Sequence, residues 1–242
     1  MNGCLPCSGN ISREHYISRA VLDLIFDGGQ GIIKGTPWAN SIDKSVSKES
    51  LTAKILCQRH NSGLSQLDDA AKAILLGIQA AQTGLQLHRS QGASITVSGD
   101  ALERWFLKVA AGMLASGNLG KEGVSLPRSV PEIWCNILTG SPFPSLWGLY
   151  LKPPSGEFST ALREFWCQPM SGSDKSVRAL HFGLARIPFT LIPGKPDNPD
   201  SWGCYRPSEL VFTNGVTRYS ISLHWISGPS SGPIEFLRLR DA

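Results

Sequence analysis

From Asp100 to Gly117 the apolar residues Leu102, Trp105, Phe106, Val109, Ala110, Met113 and Leu114 recur at i, i+3, i+4 and i+7. That period predicts a helix with one buried stripe, and Gly117 is its stop signal. A second helical pattern covers about residues 66–88, with Ser65 or Asp68 suited to cap it. SRAVLDLIF (18–26) predicts a short helix stopped at Gly28-Gly29, while IIKGTPW (32–38), LTAKIL (51–56) and ITV (95–97) read as extended pieces. From position 127 onward, where fourteen of the sixteen prolines lie, the pattern changes to short strands and turns. Its clearest element is a hairpin over 209–225 with Asn214-Gly215 at the turn. There Tyr219, Ile221, Leu223 and Trp225 alternate with Arg218, Ser220, Ser222 and His224, the signature of a half-buried strand. The change of pattern predicts two parts, a mostly helical 1–92 and a β-rich 93–242 that opens with the 100–117 helix.

Composition narrows the class. A chain of 242 residues that is 41% hydrophobic and 17% charged has material for a sizeable core, and no apolar run approaches the ~18 residues of a membrane span. MNGCLPCSGN has neither a basic start nor an apolar stretch, so it is not a secretory signal, and the expected location is cytoplasmic. Six cysteines in such a compartment argue against a disulfide framework. The net charge of +4 is mild and sits wholly beyond residue 70, since residues 1–70 carry equal numbers of acidic and basic side chains. It neither makes nor breaks a case for nucleic acid.

The spacing of four residues says more. Cys4 and Cys7 form C-x2-C, and Cys57 and His60 repeat the same gap as C-x2-H. Together they are the ligand set that Zn²⁺ takes in closed tetrahedral sites, each pair aimed at one point by a tight turn or a helix start. Cys135, Cys167 and Cys204 are scattered singly. A Cys4–Cys7 redox pair lacks the βαβ surroundings of a thioredoxin.

Between the two pairs lies S-x-E-H (Ser12, Glu14, His15), and Asn61 directly follows His60. The order C-x2-C, S-x-E-H, L-C-x2-H-N resembles the zinc-containing HNH endonucleases of the His-Me finger (ββα-metal) class. The resemblance covers residues 4–61, about a quarter of the chain. It implies an α+β fold: a zinc-stabilised ββα-metal, treble-clef-like core, then helices and a β-rich C-terminal part. It implies metal-dependent hydrolysis of phosphodiester bonds in DNA, with restriction, phage defence, homing or mobile-element roles all open. His15 matches the general base, a task suited to an imidazole that titrates near neutral pH. Asn61 and Glu14 match ligands of a catalytic Mg²⁺ or Mn²⁺, and Cys4, Cys7, Cys57 and His60 match the zinc ligands. Consecutive helical residues diverge by about 100°, so His60 can face zinc while Asn61 faces the active site. Arg13, Arg19 and Arg59 are near enough in sequence to clamp phosphates, against the plainer reading of solvated surface.

Two features depart from the family pattern. Thr52 stands where the signature has its middle Asn, and residues 18–46 lengthen the stretch between His15 and Cys57. Two other readings compete: a non-catalytic zinc module that binds nucleic acid or protein, and an RNA-directed or toxin-like nuclease. A purely structural zinc site has no need of the Glu14, His15 and Asn61 set. Elsewhere the plain readings are preferred. Asp68 and Asp69 suit a helix first turn. Arg104 and Lys108 suit a solvated face opposite the apolar stripe. His88, His181 and His224 have no partner motif, and most tryptophans suit packing, with Trp134, Trp147 and Trp202 candidates for a surface that docks a regulatory protein. Residues 93–242 hold no Gly-rich phosphate loop, no Ser-His-Asp arrangement and no dinucleotide fingerprint.

Overall fold

In a computed structural model the chain is described over residues 14–26, 30–34, 44–53, 57–87, 92–121, 124–153, 164–228 and 230–237. The first half contains β1 (Glu14–His15), α1 (Arg19–Ile25), β2 (Gln30–Lys34), β3 (Lys44–Ser47), β4 (Thr52–Ala53), α2 (Gln58–Gly63), α3 (Ser65–Gln86), β5 (Ser94–Ser98) and α4 (Gly99–Ser116). The short ladder β6 (Gly120–Lys121) and β7 (Val124–Ser125) follows, then α5 (Glu132–Leu138), β8 (Gly148–Leu151), β9 (Phe165–Ser171), β10 (Val177–Leu184) and β11 (Ile187–Ile192). The chain closes with β12 (Cys204–Tyr205), β13 (Glu209–Thr213), β14 (Arg218–His224) and β15 (Ile234–Leu237). The fold is therefore mixed α+β. No helix among the described residues is long and apolar enough to cross a membrane.

Local chemistry sets the helix ends. Ser18 Oγ accepts from the Val21 amide at 3.3 Å and Ser98 Oγ from the Ala101 amide at 3.2 Å, each satisfying one orphan donor of a first turn. At the end of α4, Gly117 takes φ +76°, and the Asn118 amide returns to the Met113 carbonyl. A left-handed residue at this position favours glycine.

Two sheets flank α4. The larger has the order β12-β8-β11-β10-β9-β2-β3, antiparallel except where β2 runs parallel to β9 through Ile33–Phe165 and Lys34–Trp166. The smaller has the order β15-β13-β14-β5, in which β14 pairs antiparallel with β13 and parallel with β5. Helix α3 lies along α4 and over β5 and β14. The approach is close enough that a Cβ at Gly84 would run into the Tyr219 hydroxyl. One hydrophobic cluster extends from Tyr16 and Ile17 through Ile74, Trp105 and Phe106 to Phe182, Phe212 and Phe236. It draws on residues from both sides of position 92.

The burial of α4 corrects an expectation. The predicted stripe is buried, but so are Glu103, Leu107, Lys108 and Ala111 on what reads as the polar side. A helix enclosed all round must neutralise its charges internally. Lys108, 2% exposed, donates to both oxygens of Asp68 at 2.9 Å, so it is not a solvated residue. Burial pushes the Asp68 carboxyl up, against the pull of Lys108. Glu103 faces Arg206 in a bidentate pair, with Arg206 Nε to Oε1 at 3.1 Å and Nη2 to Oε2 at 2.8 Å. Both side chains are 1% exposed. Glu103 Oε1 also accepts the Leu149 amide at 2.6 Å, and Arg206 Nη1 donates to the Ser227 carbonyl at 2.6 Å. The guanidinium lies over the rings of Tyr205 and Trp225. Gly148 sits against this pair at φ +121°, where a Cβ would overlap Glu103 Oε1.

Removing one partner of such a pair strands a buried charge. Arg206→Leu is expected to lower the unfolding free energy by about 3–5 kcal/mol, measured by urea unfolding. A loss below roughly 1 kcal/mol, the scale of an exposed ion pair, would contradict this.

Candidate functional site

β1 and β4 form an antiparallel pair in which Glu14 faces Ala53 and His15 faces Thr52. A few residues on, Cys57 caps α2, and α2 bends at Leu64 into α3. Two short paired strands are thus followed by a helix that carries His60 and Asn61. Between the strands, α1 buries Val21, Leu22 and Ile25, and β2 and β3 pair with each other before β2 joins the larger sheet.

His15 is half-buried, and its Nδ1 is enclosed without a hydrogen-bond partner among the described residues. Beside it lie charges from α1 and from the turn 48–50. Lys48 Nζ bonds Asp23 Oδ1 at 2.5 Å, and this bond, with help from Arg19 and His15, holds the Asp23 carboxyl below its ordinary range. Glu49 is held low chiefly by its backbone amide and Ser47, with smaller contributions from Arg19 and His15. Thr52 Oγ1 donates to the Glu49 carbonyl at 3.0 Å, bracing the turn that faces the imidazole.

At the other end of the strand pair, Cys57 is buried, and its Sγ lies 3.3 Å from His60 Nδ1. Two ligands of one tetrahedral zinc, at about 2.3 Å for sulfur and 2.0–2.1 Å for nitrogen, stand about 3.5 Å apart. This half of the C-x2-C…C-x2-H set therefore has metal-compatible spacing, which also serves a thiol–imidazole hydrogen bond. Cys4, Cys7 and Arg13 lie outside the described residues, as does the side chain of Glu14. Among the described residues no group of three or more His, Cys, Asp and Glu converges on one point. Asn61 is half-buried on α2, while Arg59 and Arg19 are exposed. Asp68 falls in the first turn of α3 and is committed to Lys108, while Asp69 follows it and is exposed. Of the unmatched histidines, His181 bonds Thr190 Oγ1 at 2.9 Å with its Nδ1, and burial lowers its pKa. His224 is exposed on β14, and His88 lies outside the described residues.

Two groups of residues near these positions carry no motif. One is Asp23, Lys48 and Glu49; the i, i+4 spacing of Arg19 and Asp23 on a capped helix is the one local signal for it. The other is a cleft of about 420 Å³ between α2–α3 and the end of α5, lined in part by Arg59, His60, Gln66, Arg104 and Thr139. No family model, curated protein or solved structure matches this chain.

Because Lys48 is the main cause of the low Asp23 pKa, Lys48→Met should move the Asp23 titration midpoint upward, toward the ordinary value of 3.8. Carboxyl ¹³C NMR would read the shift; an unmoved midpoint would show that Arg19 and His15 suffice.

Proposed function

We propose that the chain is a metal-dependent endonuclease of the HNH type, with His15 as the general base. The observation that carries this reading is the ββα order, with an unpartnered, enclosed imidazole nitrogen on the first strand and the Cys57–His60 pair at the start of the helix. The Cys57–His60 spacing fits the zinc half-site, which Cys4 and Cys7 would complete. Asn61 offers an amide oxygen, a donor type that hard cations accept, and Glu14 would add a carboxylate. A Mg²⁺ or Mn²⁺ bound there would offset negative charge building on the phosphate and the leaving oxygen.

His15 takes one proton from the attacking water, whose oxygen forms the new bond to phosphorus. One P–O ester bond breaks, and its oxygen leaves with a proton from solvent. Arg19, exposed at the start of α1 beside His15, is placed to hold a neighbouring phosphate. Thr52 cannot reproduce an Asn amide opposite the base, and that substitution favours the second reading, a zinc module without catalysis.

Incubation of supercoiled plasmid with Mg²⁺, Mn²⁺ or EDTA separates the two. The nuclease reading expects cation-dependent nicking or linearisation that falls by roughly 10²–10⁴-fold in His15→Ala, the range of general acid–base catalysis. Equal cleavage by both proteins would remove His15 from the mechanism, and silence from both would favour the binding module. Elemental analysis of the purified chain should find one zinc per chain, lost in Cys57→Ala. Retained zinc in that variant would sink the assigned ligand set.

A further inference from the structure

We infer that the cleft between α2–α3 and the end of α5 is a phosphate subsite that holds one nucleotide of a polynucleotide strand. It extends the nuclease reading and rests on it only for the identity of the strand; the anion site stands on its own geometry. Arg59 and Arg104 both line the cleft, and no Asp or Glu does. Neither guanidinium has a carboxylate within ion-pair distance among the described residues. By contrast Arg178, Arg186, Arg206 and Arg218 are each matched to one.

Arg104 is held in place by the chain itself. Its Nη2 donates to the carbonyls of Gly140 at 3.4 Å and Ser141 at 3.1 Å. Guanidinium has five donors in a fixed fork, so this anchorage leaves most of the fork for an oxyanion. Gln66 adds a neutral donor, the Thr139 hydroxyl is spent on the Cys135 and Asn136 carbonyls, and His60 borders the cleft while its Nδ1 turns to Cys57. Leu64, Leu67 and Leu138 supply an apolar wall. Two unpaired guanidiniums beside such a wall suit a ligand with a phosphate at one end and an apolar face at the other, which a nucleotide provides. Arg59 and His60, which line the cleft, lie on the same short helix as Asn61.

The test measures binding of a fluorescein-labelled twelve-nucleotide single-stranded DNA to the full chain without added Mg²⁺ or Mn²⁺, so that cleavage does not interfere. Arg59→Gln and Arg104→Gln should each weaken binding by about tenfold and lower the salt slope by about one. Because Arg104 also braces α5, Gln66→Glu is the second variant. It places an acid in a first turn, where the helix dipole favours it, yet repels phosphate. It should weaken binding while leaving thermal unfolding unchanged. Arg178→Gln, at an exposed arginine away from the cleft and paired with Asp174, should bind like the unsubstituted chain, which separates this subsite from general surface charge. Unchanged affinity in Arg59→Gln and Gln66→Glu would overturn the subsite even if plasmid is cleaved. A mononucleotide that binds as tightly as the strand, or a poly-glutamate peptide that displaces it equally, would overturn the nucleic-acid assignment.

Discussion

A guanidinium and a carboxylate that meet in the dry centre of the molecule hold its layers in register. Glu103 sits in the second turn of a helix flanked by two sheets, and Arg206 reaches it from the turn between β12 and β13. Desolvating both charges is costly, and the compensation comes from a bidentate pair, the Leu149 amide, the Ser227 carbonyl and two aromatic faces. The partners come from four stretches of chain: α4, the start of β8, the 205–206 turn and the 225–227 loop. Burial still pushes the Glu103 carboxyl up to about 7, so Arg206 offsets the cost only in part. Asp100, one turn earlier, repeats the logic by accepting the amides of Ile226 and Ser227 and the Ser227 hydroxyl. The loop after β14 is thereby tied to the first turn of α4.

The candidate site depends on this arrangement through α3 and α4. The bidentate contact of Lys108 with Asp68 fixes the first turn of α3 against α4. Because α2 runs into α3 at a single bend, that contact also sets the position of Cys57, His60 and Asn61. On the other side, α4 packs against β4, which carries Thr52 opposite His15. The apolar enclosure of α4 and the polar chemistry at its edge are thus parts of one construction.

How much of this can be read from residue order depends on the range of each interaction. Both long helices and the 209–225 hairpin are legible, because apolar periodicity, Ser and Gly caps and the Asn-Gly turn are local signals. Glu103 and Lys108 are illegible for the opposite reason. Their partners lie 103 and 40 positions away, so a charged residue opposite an apolar stripe reads as solvated until those partners are known. The strand β3 escapes notice because it is short, and the extended piece read at 32–38 overlaps β2 but gives no sign of its second neighbour, β9. Spacing announces the proximity of Cys57 and His60, and helical geometry separates Asn61 from them. The cleft gathers α2, α3, α4 and the end of α5, and no motif records such a meeting.

The parallel seam between β2 and β9 has a consequence in time. Residues that separate His15 from Thr52 are stitched to a strand made more than a hundred positions later, and α3 rests on β14, made later still. During synthesis the amino-terminal strand pair therefore emerges long before the surfaces that brace it. Whatever His15 does, the chain acquires the full support for it only when the last strands have left the ribosome.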